Sequence, residues 1–481
     1  MKITFVASEI TPFAKTGGLA DVAAALPRAL HALGHEVRLF MPFYASIAGK
    51  HYNIKPVDSI QHVGLLLGQH HYEFSLLSTR LPDSTLDVFL VDCPALYSRA
   101  ALYTYDADEH RRFLLLQRAV LESCQRMQFA PDIIHCNDWH TALLPLMIRT
   151  SYGWDRLFQR THSVFSIHNI GYQGQFGAHT LGDIGIGDIV AHMHSPDLAA
   201  GHINWMREGI RHAHSVCTVS PTYAKEICTP EGGYGMDNSL RERTRGVTGI
   251  LNGVDYDSWN PETDDLLPAQ YGMHSMQGKQ QCKQALLARG DLHIDINTPV
   301  IGLVSRLAVQ KGIDILMPSL PQLLTTRDFA LCVLGSGEAQ YVEFFRGLAA
   351  QFPDRVYFVH GYDEPLAHLI EAGSDMFLMP SLYEPCGLNQ MYSLKYGTVP
   401  IVRKTGGLAD SVQLWDGESG TGIVFDHYDA PAVIWAVNTA LDLFKDKSTW
   451  HHIVRNGMAA NFSWEKQAKE YVGLYEDTLM L

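Results

Sequence analysis

The chain has 481 residues, enough for two or three domains that each bury a sizeable core. Apolar residues make up 46% and charged residues 18%, the balance of a soluble globular chain, and a net charge of −14 without any Lys/Arg run argues against a nucleic-acid surface. No apolar run approaches the ~20 residues of a membrane span.

The 8 cysteines are scattered without a CxxC pair and read as reduced thiols. The opening Met1-Lys2-Ile3-Thr4-Phe5-Val6-Ala7 reads as a strand and not as a leader, so a cytoplasmic protein is expected. Of the 24 histidines, the pairs His135/His140 and His162/His168 lack a helical HExxH arrangement, and no zinc is expected.

After the first strand comes Lys15-Thr16-Gly17-Gly18-Leu19-Ala20-Asp21, then a helical spacing of Leu19, Val22, Ala23, Leu26, Leu30 and Leu33 closed by Gly34, then a strand over 36–41. This is a βαβ unit with a Gly-rich first turn. It is not GxGxxG, and no acidic residue follows the second strand, so a dinucleotide reading is weak. Strands are predicted at 86–91, 133–136, 164–167 and 216–219. They end in Asp92, in Asn137-Asp138-Trp139-His140, in His168-Asn169-Ile170-Gly171-Tyr172-Gln173-Gly174 and in Ser220. A parallel sheet places those ends along one edge, where ligand sites are built. Asp138 with Trp139 reads either as a sugar subsite, carboxylate on hydroxyls and indole on the pyranose face, or as a capping Asp beside a half-buried Trp.

Near Asn252-Gly253 the pattern changes to a turn, a polar connection over 259–265 and a helix over 279–288, which places the inter-domain hinge. A second doubly wound pattern follows, with strands at 300–306, 329–334, 356–359, 376–379, 399–402 and 422–425. Arg306 and Lys311 lie just past its first strand, beside Gly335-Ser336-Gly337. They are placed to clamp a phosphate or, alternatively, form a solvated surface pair. Ser381-Leu382-Tyr383-Glu384-Pro385-Cys386-Gly387-Leu388-Asn389-Gln390 puts one carboxylate on a broken turn before a helix. Lys404-Thr405-Gly406-Gly407-Leu408-Ala409-Asp410 then repeats residues 15–21 letter for letter. The last segment, 462–481, reads as a helix with Tyr471 and Leu474 on one side.

Residues 15–22, 137–141, 168–174, 305–312, 381–390 and 404–410 together closely resemble the bacterial glycogen synthase and plant starch synthase family, over nearly the whole chain. The resemblance implies an α/β glycosyltransferase B fold, two Rossmann-like domains facing a cleft. The boundaries expected here are 1–250 (acceptor side), 251–460 (donor side) and 461–481, a helix crossing back to the N-terminal domain. It implies transfer of glucose from ADP-glucose to the non-reducing end of an α-1,4-glucan such as glycogen, with retention and with neither metal nor pyridoxal phosphate.

By resemblance, Arg306, Lys311, Glu384, His168 and Asp138 are the expected catalytic residues. Lys15, Gly18, Asn169, Asn252, Gly337, Tyr362, Cys386, Gly387, Thr405, Gly406 and Gly407 are expected at the donor, and Trp139, Asp21 and Tyr172 at the acceptor. Fixed donors near Gly18 and 405–407, with Arg306 and Lys311, would meet charge on the leaving phosphate. A second Glu, common in the wider superfamily eight positions after the first, is replaced by Tyr392, as in this family. With no evident partner carboxylate, same-face transfer is expected, with His168 on a glucose hydroxyl. Open alternatives are a UDP-glucose donor, glucose 1-phosphate as acceptor to give maltose 1-phosphate, a pyridoxal-phosphate-dependent phosphorylase of the same fold, or a non-catalytic glucan-binding protein.

Overall fold

Short apolar runs separated by amphipathic helices build a largely parallel sheet in the first half of the chain and a fully parallel one in the second. A computed structural model describes residues 1–50, 52–184 and 187–481. Met1–Val219, Ala224–Gly253 and Trp464–Leu481 form one unit, and Ser220–Tyr223 with Val254–Ser463 form the second.

The strands of unit 1 are β1 (Lys2–Val6), β2 (Glu36–Pro42), β3 (Lys55–Pro56), β4 (Val63–Leu67), β5 (His70–Arg80), β6 (Asp87–Asp92), β7 (Ile133–Asn137), β8 (His162–Ile167), β9 (Gln175–Gly177), β10 (His202–Asn204), β11 (Ser215–Thr218) and β12 (Thr248–Gly249). Ten of them form one sheet in the order β12-β11-β8-β7-β1-β2-β6-β5-β3, with β4 on β5. Pairing is parallel from β12 to β6 and antiparallel at β5. The antiparallel edge over residues 55–80 and the helix Glu109–Arg126 add to what the sequence reading foresaw. The helix Gly18–Ala32 buries Leu19, Val22, Ala23, Leu26 and Leu30 of the face its spacing predicts, whereas Leu33 caps its C-terminus and is exposed, because the helix stops at Ala32.

The helix Trp464–Leu479 packs within unit 1, burying Tyr471 and Leu474. The Tyr475 hydroxyl lies 2.6 Å from His135 Nδ1, and the Thr478 hydroxyl lies 2.7 Å from that of Ser215. The chain passes from unit 1 to unit 2 beside the place where it returns, with Val254 N donating to Phe462 O at 2.7 Å.

Unit 2 has six parallel strands: β13 (Val300–Leu307), β14 (Ala330–Gly337), β15 (Val356–His360), β16 (Met376–Met379), β17 (Val399–Arg403) and β18 (Ile423–Phe425). Their order is β15-β14-β13-β16-β17-β18. Winding outward from β13 in both directions leaves a switch point between β13 and β16, the place where open α/β sheets bind ligands at the strand C-termini. In unit 1 the corresponding point lies between β1 and β7.

Among the described residues no helix is long and apolar enough to cross a membrane.

Candidate active site

In unit 2 the loops after β13 and β16 meet at the switch point. Lys311 closes a 3-10 turn, Val309–Lys311, and its Nζ lies 2.6 Å from Glu384 Oε2. The same oxygen accepts from the Ser381 hydroxyl at 3.0 Å. The side chains are 19% and 7% exposed, so the pair is held largely out of water. Two bonds tie the loops together: Leu382 N to Gln310 O at 2.9 Å, and Gln310 Nε2 to Tyr383 O at 3.4 Å. Arg306 is exposed and donates to Gln310 Oε1 at 2.9 Å. The expected clamp is thus split: Arg306 lies at the end of β13 itself, not past the strand as its sequence suggests, since its backbone pairs with Ser336, and it faces water, while Lys311 sits on the loop that follows and is engaged by the carboxylate.

The loop Lys404-Thr405-Gly406-Gly407 lies directly on the turn that carries Glu384. A Cβ on Gly407 would stand 2.0 Å from Cys386 O, and one on Gly406, where φ is +43°, would stand 1.9 Å from Glu384 O. Only glycine permits that approach. Gly407 N donates to Glu384 O at 3.1 Å, and Thr405 N donates to Arg403 O at 3.0 Å. These two amides, expected at a phosphate, are thus bonded within the protein, because turn packs on turn. Cys386 is buried in the same contact. Gly387, at φ +71°, continues the turn into the helix Asn389–Lys395, and Gly337 ends the β13–β14 ladder opposite Leu307. Tyr362 follows β15 and is 82% exposed.

In unit 1 the same heptapeptide is built differently. Lys15 to Gly18 are exposed, and a Cβ on Gly17 or Gly18 would meet nothing within 4 Å. Lys15 Nζ pairs with Asp21 Oδ1 at 2.7 Å, and Thr11 also donates to that oxygen, at 3.2 Å. Asp21, expected at the acceptor, holds the loop in this structure. Sequence reasoning passed over Glu9, just beyond β1. Its buried carboxylate accepts from Thr16 N, from the Thr16 hydroxyl at 3.0 Å and from the Tyr103 hydroxyl at 3.0 Å. Burial pushes its carboxyl up, against those bonds. A polar residue following the first strand was the available signal.

Across the unit 1 switch point, after β7, Asp138 adopts φ +53°, an uncommon conformation for a residue other than glycine. Its Oδ1 accepts from His168 N at 2.7 Å, and Asn169 N also donates to its carboxylate. Burial pushes the Asp138 carboxyl up to about 7 in spite of these bonds. His168 Nε2 lies 2.8 Å from Asn137 Oδ1. Asn137 Nδ2 is committed to Val6 O at 2.9 Å, so its Oδ1 is the acceptor and His168 Nε2 carries the proton. Burial draws the imidazole down to about 4. The ring is therefore neutral, with Nδ1 as an acceptor suited to a hydroxyl.

Trp139 is half-buried and edge-on to Phe113 and Trp205, at 5.0 and 6.0 Å between ring centroids. Gly174 lies so close that a Cβ there would stand 2.4 Å from the indole. Packing accounts for this tryptophan, and Tyr172, 59% exposed, is the open aromatic of the loop after β8. Asn252 is buried in unit 1, and its Oδ1 has no hydrogen-bond partner among the described residues. Among the described residues no cluster of three or more His, Cys, Asp or Glu side chains is arranged to hold a metal ion.

Residues 2–242 match a family model described as the starch synthase catalytic domain, and residues 287–457 match one described as glycosyl transferases group 1. The chain is 44% identical to a glycogen synthase of Myxococcus xanthus over 99% of both chains. It is 40% identical to a glycogen synthase of Aeromonas hydrophila over 100% of this chain and 98% of that one. The catalytic domain of starch synthase IV from Arabidopsis thaliana, bound to ADP and acarbose, matches with a TM-score of 0.91 at 33% identity, covering 100% of this chain and 99% of that one. Sucrose-phosphate synthase from Thermosynechococcus elongatus shares the fold alone, at a TM-score of 0.60 and 18% identity. The fold is glycosyltransferase B.

Proposed function

The chain belongs to the bacterial glycogen synthase and plant starch synthase family, and from that premise we propose that it transfers glucose from ADP-glucose to the non-reducing end of an α-1,4-glucan with retention at the anomeric carbon. The observation that carries this reading is the Lys311–Glu384 pair at the unit 2 switch point, 2.6 Å between Nζ and Oε2, with Arg306 at the end of β13 just before it. An ADP-bound starch synthase of matching fold supports adenine as the donor base.

In the proposed reaction the bond from glucose C1 to the phosphate oxygen breaks with its electron pair going to the phosphate. The glucan 4-hydroxyl bonds to C1 from the same face, and its proton passes to the leaving phosphate oxygen. The products are ADP and a glucan longer by one residue. Arg306 and Lys311 meet the charge that grows on the phosphate, and removing one such donor costs roughly 10²–10³ in rate. Glu384, held by Lys311 and Ser381, orients glucose hydroxyls beside the positive anomeric centre. A double displacement would ask for a second carboxylate about 5 Å from the first. Tyr392, at the position where the wider superfamily carries Glu, stacks on Trp259 at 4.0 Å instead. His168 Nδ1 accepts from a glucose hydroxyl. The space above Gly18 suits a donor lying against the backbone, and Lys15 serves that same loop.

Because these cations meet the phosphate charge, the reaction is proposed to need neither metal nor pyridoxal phosphate, in a cytoplasmic enzyme. The test is glucose incorporation with EDTA present, comparing ADP-glucose with UDP-glucose and glycogen with glucose 1-phosphate. Preference for ADP-glucose and glycogen, undiminished by chelator, supports the reading. Preference for glucose 1-phosphate would replace the product by maltose 1-phosphate, and absence of transfer under every pairing would leave a glucan-binding protein. Trapping a covalent glucosyl adduct on a side chain would overturn the same-face step.

A further inference from the structure

A cavity lies in unit 2, at the opposite edge of the sheet from Lys311 and Glu384. It measures about 500 Å³ and opens beside Asp375, which precedes β16, and Gly397, which precedes β17. In a parallel sheet these N-terminal ends face away from the loops that follow the strands. Two helices supply its polar wall. Gln277–Arg289 contributes Lys279 and Lys283, and Lys447–Ala459 contributes Lys447, His451 and Arg455 at four-residue intervals, one helical stripe. The stripe of Trp450, Val454 and Met458, with Met273 and Met276, gives an apolar floor.

The charge of this cavity is unbalanced. Four of its lining residues are Lys or Arg, and Asp375 is its one acid, in a chain whose net charge is −14. Asp375 is already used, since its Oδ2 pairs with Lys283 at 2.7 Å and accepts from Val300 N at 2.9 Å. Lys279 Nζ donates to three neutral oxygens: Ala372 O and Tyr396 O at 3.0 Å each, and the Thr398 hydroxyl at 2.7 Å. The acid nearby, Glu371, is pushed up to about 8 by burial, and so is mostly protonated at neutral pH. Lys447 lies over the Phe444 ring, Nζ 3.2 Å from its centroid, and Arg455 makes no hydrogen bond or ion pair among the described residues. Lys279, bonded only to neutral oxygens and drawn down to about 8 by burial with Asp375 as the nearest opposite charge, two further cations at the rim and an apolar floor define what fits: an anion joined to a small organic body. The volume lies within the range of small-molecule sites.

We propose that this cavity binds a small phosphomonoester, its phosphate on Lys447 and Arg455 within the field of Lys279 and its organic body on the floor at Trp450 and Met458. This site is separate from the catalytic loops and does not rest on the choice of donor or acceptor.

The probe is phenyl phosphate, titrated into the full chain with saturating ADP present and followed by calorimetry and tryptophan fluorescence, with inorganic phosphate and phenol as its two halves. One binding event tighter than about 1 mM is expected, with inorganic phosphate weaker by about threefold or more and phenol not bound. Lys447→Glu with Arg455→Glu, both at exposed positions, should weaken it at least about tenfold while leaving ADP affinity unchanged. Absence of binding at about 10 mM, or binding equally tight in the double variant, would overturn the site. Inorganic phosphate binding as tightly as phenyl phosphate would overturn the role given to the apolar floor.

Discussion

Lys311 Nζ and Glu384 Oε2 stand 2.6 Å apart although 73 positions separate them in sequence. They come together because Lys311 follows β13 and Glu384 follows β16, the two adjacent strands between which the winding of unit 2 reverses. The pairing fixes a carboxylate whose oxygens would otherwise repel a phosphate, and it keeps an ammonium beside that carboxylate ready to turn to a leaving group. One loop-to-loop contact thus serves both ends of the scissile bond in the proposed reaction.

Replacing Lys311 by Ala should lower kcat by roughly 10²–10³, and it should also destabilise unit 2, because Glu384 is left largely buried without its partner. That loss is expected at about 1–3 kcal/mol, below the range for a fully enclosed pair since Lys311 retains contact with water. Adding Glu384→Gln to Lys311→Ala should return most of the lost Tm without returning activity. A double variant no more stable than Lys311→Ala would show that the unpaired Glu384 charge is not what destabilises the single variant.

The repeated heptapeptide allows a matched comparison. Gly407→Ala puts a methyl 2.0 Å from Cys386 O and should lower Tm markedly, whereas Gly18→Ala meets nothing within 4 Å and should leave Tm unchanged. If the space above Gly18 belongs to the donor, Gly18→Ala raises KM for the nucleotide sugar. An unaltered KM and kcat in Gly18→Ala would remove that loop from the donor site.

What the sequence made legible follows from the same comparison. Strand ends were readable because each apolar run is short and stops at a polar residue, which located Asp138, His168, Arg306 and Glu384 at sheet edges. The packing of one turn on another was not readable. Nothing in the letters of residues 404–410 distinguishes glycines that let Gly407 N reach Glu384 O from the unencumbered Gly17 and Gly18. Glu9 escaped notice because its role depends on Thr16 and Tyr103, the latter 94 positions away. The antiparallel edge over residues 55–80 carries no motif, and only its pairing with β6 reveals it.

Asp138 should impose a measurable pH dependence on stability. Burial sets its folded-state value at about 7, above the ordinary carboxylate value, so the folded protein holds this proton where the unfolded chain has released it. The stability so contributed is complete below about pH 4, and it is lost as pH rises through about 7, by up to about 4 kcal/mol. Asp138→Asn removes the titration, so its Tm should fall less than that of the parent between pH 4 and 8. Glu371, raised to about 8, stays in both proteins and cancels in the difference. Parallel Tm profiles would show that Asp138 titrates normally.

The neutral state of His168 gives the remaining test. Asn137 fixes the proton on Nε2, and burial draws the ring down to about 4, so in the proposed reaction His168 accepts a hydrogen bond at Nδ1 and takes no part in proton transfer. ¹⁵N spectra at pH 6 should show a protonated Nε2 and an unprotonated Nδ1. The pH–rate profile should carry no limb from this residue above about pH 5. Asn137→Ala frees the ring to exchange tautomers. It should mix the two nitrogen signals and lower kcat by about tenfold, since part of the population then presents a donor where the sugar hydroxyl must donate. An activity limb between pH 6 and 7 that disappears in His168→Gln would instead make the imidazole an acid–base group, and the assignment of its proton to Asn137 would fall with it.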